Sequence, residues 1–224
     1  MEGILTIVIT GVTALVSYMA FKNPAMRMKH MMIPYNVSHL KEYQRIITHA
    51  FVHKDGMHLL INMFVFFQFG QILETVLTTE DTQIFSFFPY SDGTVGYVYY
   101  FMIYFGGVVF ASLPSMIKHK DNPHYMSLGA SGAVASVLFA LIVIAPTSKI
   151  ALFFFLPLKF WVFGVSYLFY EWYMGKRGGT GIAHDAHFFG AIWGLIVMLI
   201  LNPKLYVRCF DLIGGSMAEL LSSL

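Results

Sequence analysis

Ser131, His187, His58 and Asn62 stand within long apolar stretches, and together they supply the parts of a nucleophilic hydrolase. A serine hydroxyl is a weak nucleophile until a base takes its proton. Imidazole titrates near neutrality, so His187 suits that role. Attack on an amide creates an oxyanion, which needs donors aimed at it. Asn62 offers an NH₂ and His58 an N–H. They lie four residues apart, on one helical face. The backbone N–H of Ser131 falls near an expected helix start, where amides lack intrahelical partners. The chemistry would be acyl transfer at a peptide carbonyl, with no metal and no cofactor.

The elements that position these groups are membrane spans. Hydrophobic residues make up 57% of the 224 and charged residues only 12%, where a soluble domain carries about 25% charged. Mean hydropathy is +0.66. Six stretches approach the ~20 apolar residues a bilayer requires: about 3–21, 58–77, 96–117, 127–145, 155–173 and 182–201. They are expected to be helices, because a lipid-exposed backbone must satisfy its own hydrogen bonds. The first lacks a basic leader and a small-x-small cleavage site, so it reads as a retained span. Tyr97, Tyr99, Tyr100, Trp172 and Tyr173 lie near span ends, where amphipathic rings favour the headgroup level.

Polarity within spans is costly and marks functional candidates. His58, Asn62, Gln68, Glu74, Ser131, Ser136, His184, Asp185 and His187 qualify. Successive spans alternate in direction, so the second, fourth and sixth enter from one face. Asn62, Ser131 and His187 then share a depth of about 6 to 8 Å below that face, at 1.5 Å per residue. Gly129 and Gly132 flank Ser131, and Gly190 and Gly194 lie on the face of His187. Small-residue faces let membrane helices approach closely, as a short serine side chain requires. Asp185 lies about 200° around the helix from His187, so no carboxylate is expected to complete a triad.

Residues 22–57 form the longest loop, mixing charge with Met26, Met28, Met31, Met32, Ile33, Ile46, Ile47 and Phe51. Such a segment is expected to lie in the interface as short helices. Residues 1–203 read as one domain. Residues 204–224 read as a short tail, too polar and glycine-rich to span. The net charge of +2 and the scattered basic residues give no footing for nucleic acid. The single Cys209 excludes an internal disulfide.

Each signal has a blander reading when taken alone. Small residues pack membrane helices everywhere, a histidine near a span end is commonly an interface residue, and Asn62 could bridge two helices. A competing site would use His184, Asp185 and His187 with His49, His53 or His58 to hold zinc in a metal or transport protein. His-x-x-His is a real ligand spacing, but it is a two-residue signal without HExxH.

In order along the chain come His49-Ala50-Phe51-Val52-His53, His58-Leu59-Leu60-Ile61-Asn62, Gly70, Glu74 and Gly129-Ala130-Ser131-Gly132. The run Ala186-His187-Phe188-Phe189-Gly190-Ala191-Ile192-Trp193-Gly194 follows. This set resembles the six-span bacterial rhomboid intramembrane serine proteases over residues 45–194. The resemblance implies an all-α, six-helix bundle with a structured first loop, embedded in a bacterial inner membrane. It implies Ser131 as nucleophile, His187 as base, and His58, Asn62 and the Ser131 amide as oxyanion donors. Arg45 resembles the arginine of the family's Trp-Arg pair, and Glu74 a glutamate that holds the second span against the first loop. Partners would be transmembrane-protein substrates, cut by a Ser–His dyad from the extracytoplasmic side. An inactive relative that binds such clients is the alternative within the same fold. Two departures stand out. Gln44 occupies the tryptophan position. Ala135 replaces a tyrosine that in some members packs on the catalytic imidazole. The orientation conflicts with a positive-inside count, which finds more basic residues on the site-bearing side.

Overall fold

The computed structural model describes residues 3–79, 93–152 and 156–222. Helices occupy all six stretches read as spans: α1 (Ile4–Lys22), α5 (Gly56–Thr78), α6 (Gly93–Lys118), α7 (Ser131–Ile144), α8 (Phe160–Arg177) and α9 (His184–Leu201). Four apolar segments, Ile4–Lys22, Gly56–Thr78, Thr94–Lys118 and His184–Leu201, are long enough to cross a membrane. The protein is an integral membrane protein, an all-α polytopic bundle. Helix α8 is aromatic for most of its length and carries Glu171, Lys176 and Arg177 toward its end.

Helix α7 is the axis of the bundle. Its 14 residues measure about 21 Å at 1.5 Å per residue, short of a ~30 Å hydrocarbon core. Every residue from Gly132 to Ile144 is buried, so its neighbours, not lipid, surround it. Helix α9 approaches closest. A Cβ on Gly190 would run into the Gly132 carbonyl, and one on Gly194 into the Ser136 carbonyl. Only glycine permits that backbone contact.

The expected boundaries shift at the start of the fourth and fifth spans. Residues 127–130 are not helical, so Ser131 is the first residue of α7. Gly129 has a φ of 114°, which no α-helix accommodates, and Ser127 is drawn into an extended bridge with Met32. The start expected for the fifth span, Phe155, lies outside the described residues. The segment Leu156–Lys159 is strand β2, paired antiparallel with β1 (Lys149–Leu152). The short tail after Pro203 is helix α10 (Lys204–Ser222). Leu205 and Cys209 are buried on its inner face. Arg208 donates to the Ile144 carbonyl at 2.6 Å, satisfying an orphan acceptor at the end of α7.

The first loop folds as α2 (Pro24–His30), α3 (Pro34–Leu40), α4 (Arg45–Thr48) and a 3₁₀ turn (His49–Phe51). Met32, Ile33, Val37, Ala50 and Val52 are buried beneath it. Arg45 is nearly buried and donates to the carbonyls of Met28 and Met31, both at 2.8 Å, while its Nε pairs with Glu42.

Glu74 departs from its expected role. It is fully buried and accepts from Leu5 N–H and Thr6 N–H at 2.8 Å and from Thr6 Oγ1–H at 2.7 Å. It therefore caps the start of α1 instead of holding the first loop or reaching water. An anion at a helix N-terminus is favoured there by the orphan amides and the helix dipole. Tyr100, expected at the interface, is fully buried beside this group, with its hydroxyl 2.6 Å from Thr6 Oγ1.

Candidate active site

Three tethers from the first loop set the run that leads into α7. Met32 and Ser127 exchange backbone hydrogen bonds of 2.9 and 3.0 Å. Gly129 N–H donates to the His49 carbonyl at 2.9 Å. Ala130 N–H donates to His53 Nε2 at 3.3 Å. His53 is fully buried, and its Nδ1 lies 2.9 Å from Ser17 Oγ, which donates to the Phe51 carbonyl. Burial pushes the His53 pKa down to about 3, so this ring is a neutral structural peg.

The tethers set Ser131 at the N-terminus of α7. As the first helical residue its amide has no i−4 carbonyl. His187, the fourth residue of α9, faces it across the glycine contact. His187 Nε2 lies 2.7 Å from Ser131 Oγ, within ordinary hydrogen-bond range.

His58 and Asn62 lie on α5. The His58 ring abuts Gly129, where an added Cβ would sit 2.7 Å from its Cε1. Asn62 is buried and uses one N–H on the His58 carbonyl at 2.8 Å. Among the described residues no hydrogen bond joins Asn62 to Ser131 or His187. Its second N–H is the donor that an incoming oxyanion could engage.

The absence of a carboxylate partner, expected from the sequence, is corrected by α8. Glu171 Oε1 lies 3.0 Å from His187 Nδ1, and its Oε2 lies 2.5 Å from His184 Nδ1. His184 Nε2 is 3.0 Å from Thr180 Oγ1. The Glu171 and His184 side chains are 5% and 3% exposed, and His187 18%. Asp185 turns away as expected, toward Lys118 Nζ at 3.6 Å. Glu171 was identifiable from its sequence position. It is a carboxylate within the fifth span, at the end that parity assigns to the site. It shares a face with Gly164 and Gly175, which admit α7 and α9. The surrounding Tyr170, Trp172 and Tyr173 give the segment the look of an interfacial belt.

Glu171, His184 and His187 are also the residues whose types could hold a metal, with ligand atoms within 4.8 Å of one another. Asp185, His49, His53 and His58 do not join them. The contacts of 2.5 and 3.0 Å are those of hydrogen-bonded pairs. Neighbouring ligands of a tetrahedral zinc with 2.0–2.1 Å bonds would stand about 3.3 Å apart.

Comparison with known proteins places this geometry in context. A family model described as the rhomboid domain matches residues 40–204. Over 136 residues the chain is 28% identical to the rhomboid protease GlpG of Haemophilus influenzae, covering 57% of this chain and 69% of that protein.

Proposed function

The chain belongs to the rhomboid family, and from that premise we propose that it is an intramembrane serine endopeptidase using Ser131 and His187. Rhomboid proteases act on transmembrane substrates within the bilayer. The single observation that carries the reading is the 2.7 Å contact between Ser131 Oγ and His187 Nε2. In the forward step Ser131 Oγ attacks the scissile carbonyl carbon while its proton passes to Nε2. Collapse of the tetrahedral intermediate breaks the C–N bond, and His187 returns the proton to the leaving amine. Water, deprotonated by His187, then hydrolyses the acyl-enzyme and restores Ser131. The oxyanion is met by the Ser131 amide at the α7 N-terminus and by donors from Asn62 and His58.

Substrates are transmembrane segments with a small residue at the cut and a weakened helix nearby. A helix hides its carbonyls in the i to i−4 ladder, and glycine or proline lowers the cost of opening it. The site opens to the extracytoplasmic side. The family resemblance carries this orientation; the positive-inside rule applies to free loop charges, and several of the loop charges are engaged. Arg27 and Arg45 hold first-loop carbonyls, Lys176 lies over Trp172, and Arg208 and Lys159 bind α7 and α10. Asp121→Cys in a Cys209→Ser background should react with an impermeant thiol reagent on intact spheroplasts. Labelling only after lysis would reverse the orientation.

The test of the function is cleavage of a glycine-containing model span in liposomes. Wild type should cut it, and Ser131→Ala and His187→Ala should each fold and not cut. The double variant should lose little more than either single, because the pair acts as a unit. Cleavage by Ser131→Ala would overturn the reading.

A further inference from the structure

Resting on that reading of Ser131 and His187, we propose that Glu171 is a positioning residue that completes a Ser–His–Glu chain, anchored in turn by His184 and Thr180. With Glu171 ionised and both imidazoles neutral, the proton inventory along this chain closes in one way. Carboxylate oxygens only accept. Glu171 Oε1 must therefore take the Nδ1–H of His187, and Oε2 the Nδ1–H of His184, at the observed 3.0 and 2.5 Å. With Nδ1 protonated, a neutral His184 presents a lone pair at Nε2, which takes the Thr180 hydroxyl proton at 3.0 Å. Thr180 Oγ1 still accepts Ile182 N–H at 3.2 Å. His187, likewise protonated at Nδ1, presents its Nε2 lone pair to Ser131 Oγ–H at 2.7 Å. Every donor from Thr180 to Ser131 has one acceptor, and the tautomer imposed on His187 is the one a general base requires.

Sequence and packing give Glu171 a task that is otherwise unfilled. Ala135, one turn beyond Ser131, offers no ring to hold the imidazole. Asp185 is committed to Lys118. The groups that face the His187 imidazole are Glu171 from α8, Ser131 from α7, His184 on its own helix and His58 from α5. Among them Glu171 carries the only negative charge. When His187 takes the serine proton it becomes an imidazolium. A carboxylate 95% shielded from solvent then stabilises that cation far more than a water-exposed one would. A role confined to packing would need neither the charge nor both oxygens.

Kinetics on the full-length protein in detergent or liposomes separates these roles. In Glu171→Gln, kcat should fall about 100- to 10,000-fold with KM within about twofold, since an amide can present the wrong hydrogen to Nδ1. The acid limb of kcat/KM, which reports the base in the free enzyme, should move to lower pH because the imidazolium has lost its counter-charge. Glu171→Asp keeps the charge and should recover part of kcat and return the acid limb toward wild type. His184→Ala loosens the carboxylate but leaves its charge, so kcat should fall only about tenfold with the acid limb near wild type.

A Glu171→Gln enzyme with wild-type kcat and acid limb would overturn the proposal, as would an Asp variant no better than Gln. If Glu171→Gln does not fold, His184→Ala decides: wild-type kcat there refutes the chain. Ser131→Ala distinguishes the two levels of failure. An active Ser131→Ala sinks the serine mechanism itself. An inactive Ser131→Ala beside an unperturbed Glu171→Gln sinks only the role of Glu171.

Discussion

Two glutamates are buried among the described residues, one toward each end of the bundle, and their partners differ in kind. Glu74 is held by two backbone amides and the hydroxyl of Thr6. Those donors do not titrate near neutrality, and they belong to a helix terminus that needs an acceptor whatever the protein does. Glu171 is held by two imidazoles, one of which touches a serine. An imidazole, unlike those donors, can both give and take a proton through its two ring nitrogens. Burial of a carboxylate thus does not by itself mark a functional site, since both are equally hidden. The partner decides: fixed donors make a structural clamp, and titratable donors that lead to a nucleophile make chemistry.

The comparison sharpens if variants at the site end change rate without stability, and variants at the far end do the reverse. Beyond the Ser131, His187 and Glu171 variants, the largest effect is expected at the proposed oxyanion donors. Asn62→Ala and His58→Ala should each lower kcat about 100- to 1000-fold while the melting temperature in detergent stays close to wild type. A large drop in melting temperature for Asn62→Ala, with kcat preserved in the folded fraction, would make its bond to the His58 carbonyl its whole role.

Next comes the far end. Glu74→Ala orphans two amides at the start of α1 and should cost about 3 kcal/mol of stability. Folded Glu74→Ala protein should keep kcat within about twofold. A rate loss as large as that of Asn62→Ala would show that the two ends are coupled, and the division between them would fail.

The smallest effect comes from the peg that joins the first loop to the serine turn. Burial holds His53 neutral in the fold down to about pH 3, against an ordinary value of 6.5. His49 is pushed down to about 4 for the same reason. Between the folded and unfolded values the unfolded chain binds protons that the fold refuses. Stability is therefore fully present above about pH 6.5 and falls as pH drops below it. One such histidine removes about 1.4 kcal/mol per pH unit, or about 3 °C in melting temperature. His53→Asn should shallow that slope. An unchanged slope would mean that His53 titrates alike in both states.

Much of this molecule was legible before its structure. Helices at all six stretches followed from hydropathy, four of them long and apolar enough to cross a membrane, and costly polarity singled out Ser131 and His187, which the fold brings into contact. Their close approach followed from Gly190 and Gly194. The parts that were not legible depend on contacts between distant segments. Whether a span begins at Ser127 or Ser131 is decided by Met32, nearly a hundred residues earlier, which holds Ser127 extended. The end of Glu74 is decided by the amides of Leu5 and Thr6, which no side-chain pattern advertises. Helix α10 folds because Leu205 and Cys209 find α7 and α9, although its glycines and charges make it a poor span. Glu171 lay in view, but its aromatic neighbours resemble an interfacial belt, and the apparent lack of a partner for His187 rested on the direction of Asp185 and on the dyad that the family resemblance implies.

The central claim is that Ser131 is made nucleophilic by His187. The most direct measurement is a serine-reactive phosphonate probe applied to the purified protein, with the adduct mapped by mass spectrometry. The adduct should sit on Ser131 Oγ, no other serine should react at a comparable rate, and His187→Ala should abolish labelling in a protein that still folds. An enzyme that cleaves its substrate yet takes no adduct at Ser131, or that labels equally well without His187, would contradict it.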